Sequence, residues 1–120
     1  MKNVKNIAII GLSPDENKAS NMVAKYLQNE GFKIIPIYPK EDIILKEKVF
    51  RTIDEIDEKV DLVVMFRKGE FANEIFPSLL KKGIKKLWLQ LGIKNDDVKE
   101  KCIKNGIDFV QDKCIMQELK

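Results

Sequence analysis

Asn6-Ile7-Ala8-Ile9-Ile10-Gly11-Leu12-Ser13-Pro14, with a helix beginning near Ala19 and the apolar run Lys33 to Tyr38 behind it, decides the fold of this chain. Four consecutive apolar residues in the first run, three of them branched isoleucine, suit a strand buried on both faces. Gly11 lets the chain turn sharply, and the helix then returns it to a second apolar strand. Strand, glycine turn, helix and strand form a βαβ unit, the opening unit of a nucleotide-binding α/β sheet.

Downstream, Tyr38-Pro39-Lys40 ends the second strand, and the charged segment from Glu41 to Phe50 reads as a loop with one short extended piece at Lys48 to Phe50. Thr52 and Glu55 have the spacing of a capping box, which predicts a single helical turn. Asp61 to Phe66 is a third strand. Glu70 to Lys82 carries Phe71, Ile75, Leu79 and Leu80 at helical spacing, and Pro77 inside it predicts a kink or two abutting helices. Gly83 closes that helix, and Lys85 to Leu89 is a fourth strand. Asn95-Asp96-Asp97 caps a helix running to about Asn105, which Gly106 stops. Ile107 to Val110 is a fifth strand, and Asp112 to Lys120 is a tail. The expected fold is α/β: a Rossmann-like, doubly wound, mostly parallel five-stranded sheet in three α/β/α layers. The whole chain, 1–120, is one domain.

Composition narrows the chemistry. The chain has 22 basic and 19 acidic residues, net charge +3, and its lysines are scattered, which leaves no footprint for nucleic acid. No apolar run reaches the roughly 20 residues of a membrane helix, and no secretory signal is visible, so a cytoplasmic location is expected. Cys102 and Cys114 have neither a third cysteine nor a histidine to join them in a metal site. The sequence contains no histidine at all, which removes imidazole bases, metal ligands and Ser-His or Cys-His nucleophile systems. No metal site and no catalytic constellation are expected, because Cys114 and Asp112 lack a visible activating partner.

Sheets of this kind bind ligands at the carboxyl ends of their strands. At the first end, Gly11, Leu12 and Ser13 let backbone approach an anion, the helix N-terminus points its amides there, and Ser20 and Lys18 add a hydroxyl and a charge. At the second end, Tyr38, Pro39 and Lys40 stand where a dinucleotide enzyme places a ribose-binding carboxylate; a cation there suits a ribose phosphate better. Arg67 and Lys68 follow the third strand, at the edge where a diphosphate would lie. After the fourth, Gln90 and Gly92 shape a pocket wall, and Trp88 reads as a core residue. A phosphorylation receiver, similar in layout, needs clustered acids where this chain has Gly11-Leu12 and Arg67-Lys68.

Taken in order, Ile9-Ile10-Gly11-Leu12-Ser13-Pro14, Val23 to Leu27, Gly31 to Pro39, Phe66-Arg67, Leu87 to Gly92 and Asp112 to Ile115 resemble the stand-alone CoA-binding domain family, similar to the N-terminal domain of the succinyl-CoA synthetase α subunit. The resemblance covers nearly the whole chain. It implies a coenzyme A or acyl-CoA ligand, with Gly11, Ser13 and the helix N-terminus on phosphate, Pro39 and Lys40 flanking the adenosine, and Arg67 nearby. Two positions depart from the family's habit: Lys18 stands for an arginine, and Tyr38 for the asparagine of an Asn-Pro pair. Catalysis in the related synthetases uses a histidine outside this domain. The expectation is a non-catalytic CoA-binding protein, a sensor or carrier, acting as a monomer or homodimer. The alternative is an NAD(P)- or other nucleotide-binding Rossmann protein acting as a redox-sensing regulator.

Overall fold

The structure, a computed structural model, describes all residues 1–120. Strand β1 (Asn6–Ile10) leads through the glycine turn into α1 (Ala19–Asn29) and then β2 (Lys33–Ile37). Between β2 and the next sheet strand lie a two-residue-per-arm hairpin, β3 (Ile43–Ile44) with β4 (Glu47–Lys48), and a 3-10 turn at Ile53–Glu55. The remainder alternates: β5 (Leu62–Met65), α2 (Phe71–Lys82), β6 (Lys86–Leu89), α3 (Asp96–Lys104), β7 (Asp108–Val110) and α4 (Ile115–Leu119).

Five strands form one sheet in the order β2-β1-β5-β6-β7, every adjacent pair parallel. The chain steps from β1 outward to β2, then crosses back to lay β5 on β1's other side. Strand order therefore reverses at β1, and the crevice above β1 and β5 is the topological switch point where such sheets bind ligands. Every residue of β5, and all but the first of β1 and β2, is buried, as a sheet covered on both faces requires.

Alternate strand residues feed two cores. Ala8, Ile10, Val63, Met65, Leu87 and Leu89 pack with Ala72, Ile75, Leu79, Val98 and Cys102, so α2 and α3 cover that face together with the 3-10 turn's Ile53. Ile7, Ile9, Ile34, Leu62 and Val64 pack with Val23, Ala24 and Leu27 of α1 and Ile115 of α4. The three layers and the Rossmann-like topology are those the sequence predicts.

Four local expectations need correction. Pro77 neither splits nor ends α2, which runs unbroken from Phe71 to Lys82 with Pro77 on its exposed side, where water can satisfy the carbonyl left without an N–H. The loop Glu41 to Phe50 contains the β3–β4 hairpin, closed by Leu45 and Lys46, both at positive φ. The tail carries α4, because Ile115 is fully buried against α1's face of the sheet. Trp88 is only half-buried: its ring packs on that same core while its Nε1 donates to the Lys113 carbonyl at 2.8 Å.

Candidate functional site

The carboxyl ends of β1 and β5 converge at Gly11 and Phe66. Gly11 sits at φ +82°, and a Cβ there would lie 3.1 Å from the Phe66 carbonyl oxygen, so glycine is required both by conformation and by the approach of the neighbouring strand. Its N–H donates to the Ile37 carbonyl at 2.9 Å, which ties the turn to β2 as well.

The loop from Ser13 to α1 is braced by its own side chains. The Ser13 N–H donates to Ser20 Oγ at 3.0 Å, and Ser13 Oγ accepts from the Asp15 N–H at 3.0 Å. Asp15 Oδ1 accepts from the Asn17 N–H at 2.9 Å, and Asn21 Nδ2 donates to the Ser13 carbonyl at 2.9 Å. Ser20 and Asn21 are buried, so the brace is anchored in the protein interior. At the start of α1, Lys18 occupies the cap position without offering a side-chain acceptor, and no acidic residue lies in the first turn. The N–H groups of Ala19 and Ser20 consequently meet no acceptor within the protein. Two free amides at the positive end of a helix dipole are an anion site by geometry.

These elements enclose a cleft of about 620 Å³ lined by Gly11, Ser13, Lys18, Ala19, Ser20, Tyr38, Pro39, Phe66 and Arg67. Seven residues singled out from the sequence meet there: Gly11, Ser13, Lys18, Ser20, Tyr38, Pro39 and Arg67. Neither Lys18 nor Arg67 has a carboxylate within 4.0 Å. The Arg67 guanidinium lies 4.4 Å from the centroid of the Phe71 ring, which fixes its position while leaving its N–H groups free.

The other five predicted residues lie elsewhere. Leu12 is fully buried, backbone included, in the α1-side core and lines none of the clefts, so it packs behind the site and does not contact a ligand. Lys40 is exposed outside the cleft; its carbonyl, with those of Tyr38 and Glu41, accepts from Arg51 Nη1 at 2.8 to 3.1 Å. Arg51 therefore shapes the β2 end of the site, a role for which the sequence offered no signal. Lys68 and Gly92 belong to an adjoining cleft of about 580 Å³ that shares Phe66 and Arg67. Gln90, buried to 4% exposure, lines a third, apolar pocket of about 280 Å³ that shares Ala19 and Phe66 with the main cleft.

Two side chains outside the cleft that could carry chemistry, Cys102 and Asp112, are committed to structure. Burial holds the Cys102 thiol up at about 11, which keeps it protonated and unreactive. Asp112 Oδ1 accepts from the Gly92 N–H at 2.7 Å. No three His, Cys, Asp or Glu side chains come together in a way that could hold a metal ion. No helix is long and apolar enough to cross a membrane.

A family model described as a CoA binding domain matches residues 5–120. An uncharacterised protein of Bacillus subtilis, YneT, is 32% identical over 111 residues, covering 92% of this chain and 82% of its own length. The ADP-forming acetate–CoA ligase of Methanocaldococcus jannaschii is 32% identical over 81 residues; these are 68% of this chain but 12% of the ligase. Among solved structures, a hypothetical protein from Pyrococcus horikoshii superposes with a TM-score of 0.91 at 31% identity, covering 97% of this chain and 82% of that one.

Proposed function

The chain belongs to the CoA-binding domain family, and from that premise we propose that it binds coenzyme A or an acyl-CoA in the cleft at the β1/β5 switch point, as a sensor or carrier without chemistry of its own. The observation that carries this reading is the pair of unpaired amides of Ala19 and Ser20, set in the same cleft as the unpaired Lys18 and Arg67. A diphosphate is the ligand class that uses both: its oxygens accept from the amides, and its charge is met by the two cations. Tyr38 and Pro39 then flank the adenosine, on the β2 side of Gly11. Support for binding without turnover comes from the side chains themselves. The chain has no histidine, its Cys102 is protonated, and its Asp112 is engaged in holding a loop.

Calorimetric titration with CoA, acetyl-CoA and NAD at matched concentrations tests the reading. We expect CoA to bind with micromolar-order affinity, about 8 kcal/mol. Lys18→Ala and Arg67→Ala should each weaken it about 10-fold, the scale of a lost charge-assisted hydrogen bond, while Lys40→Ala changes it less. Acetyl-CoA incubated with the protein should be recovered intact. Preference for NAD would replace the CoA reading with that of a dinucleotide-binding regulator; binding of none of the three would remove both.

A further inference from the structure

The apolar pocket beside the main cleft is unsuited to phosphate, since eight of its nine lining residues are hydrophobic. It lies between α1, the loop after β6 and the start of α4, with Met22 and Leu91 at its rim, 53% and 68% exposed. Ala19 and Phe66 line both spaces, so the pocket borders the phosphate cleft, and none of Tyr38, Pro39 or Gly11 belongs to it. On the proposed placement of the adenosine toward β2, this pocket lies on the side of the diphosphate where the pantetheine arm and its thiol end would run.

The single amide side chain of the lining, Gln90, discriminates what that arm can place in the pocket. Gln90 Oε1 accepts from the Ile115 N–H at 3.0 Å, which fixes the orientation of its amide. Its Nε2 meets no acceptor within the protein, and it is not walled off, because no fully buried side-chain nitrogen is left without a partner. One fixed donor on an otherwise apolar wall matches one carbonyl followed by hydrocarbon. It offers no second polar partner for the two amides of the pantetheine arm, which would have to turn to water at the rim.

We propose that this pocket holds the acyl group of an acyl-CoA, a straight apolar chain, with Gln90 Nε2 donating to the thioester carbonyl oxygen. The proposal rests on the reading of the main cleft as a CoA site and goes beyond it by assigning the acylated form, with a chain longer than acetyl, as the preferred ligand. Calorimetry with CoA, acetyl-, butyryl- and hexanoyl-CoA tests it, in the native protein and in the double variant Met22→Gln/Leu91→Gln. Both substituted residues are exposed, so the fold is not at risk, and the net charge is unchanged.

Affinity should rise about threefold per methylene in the native protein and stay flat in the variant, whose free-CoA affinity is unaltered. The hexyl thioether of CoA, which lacks the carbonyl, should bind about fivefold more weakly than hexanoyl-CoA. If CoA binds and chain length makes no difference, or the variant keeps the full slope, the acyl pocket is refuted while the CoA site stands. A thioether as tight as the thioester would remove Gln90 from the assignment. Failure of every CoA species to bind would overturn the CoA site and the acyl pocket together.

Discussion

Single atoms decide the shape of the cleft. At Gly11, an alanine would have to hold φ near +82° and press its Cβ against the Phe66 carbonyl. The conformational term alone costs about 1–2 kcal/mol, so urea denaturation of Gly11→Ala should show at least that loss, accompanied by weaker CoA binding. Asp61 contributes acid sensitivity to the fold. Burial by itself would raise its pKa, but the N–H groups of Asn6 and Lys5, at 3.0 and 2.9 Å, and the Lys59 ammonium at 3.7 Å together bring it below the usual carboxylate value. A depressed folded-state pKa means that the carboxylate contributes stability above the unfolded value of about 4 and loses it as pH falls further. Denaturation midpoints of the native protein should therefore drop below about pH 4, and Asp61→Asn should be less stable at pH 7 with a shallower acid limb. An unchanged acid limb in the variant would assign that sensitivity to other carboxylates.

Elements are joined at the ligand edge more tightly than their lengths suggest. Asn95 caps α3 by accepting from the Val98 N–H at 2.9 Å, and its Nδ2 donates to the Gly69 carbonyl at 2.8 Å, so the loops before α2 and α3 are held as one piece. A Cβ on Gly69 would overlap the Lys94 carbonyl oxygen, a backbone atom that cannot swing aside. Gly69→Ala must part the two loops and break the Asn95 bond, and we expect a loss of about 1–3 kcal/mol in chemical denaturation. Stability within error of the native protein would show that these loops move independently. Strand and helix existence was legible because unbroken apolar runs and three- and four-residue spacings announce them. Leu12 misled because it stands beside Gly11 in the sequence, and only the folded chain shows that the whole residue, amide included, is packed into the core. Pro36 is a signal of the legible kind: a strand residue without an N–H marks an edge strand, and β2 is one, with Phe50 the only backbone hydrogen-bond partner on its outer side.

Across the whole molecule, the site is made by residues 11 to 67 in sequence, brought together because β1 pairs with both β2 and β5. That pairing was readable as a class of topology but not as a register, and neither Arg51's hold on the β2 turn nor the apolar pocket closed by α4 could be seen without it. The four hydrogen bonds that brace the loop from Ser13 to Asn21 form entirely within the protein. Their consequence belongs to kinetics. A loop already fixed asks for no rearrangement when a ligand arrives, so the observed association rate should rise linearly with ligand concentration and as a single exponential in stopped-flow traces. Ser20→Ala, which removes the acceptor of the Ser13 N–H, should introduce a saturating phase, the signature of a loop that must first find its shape.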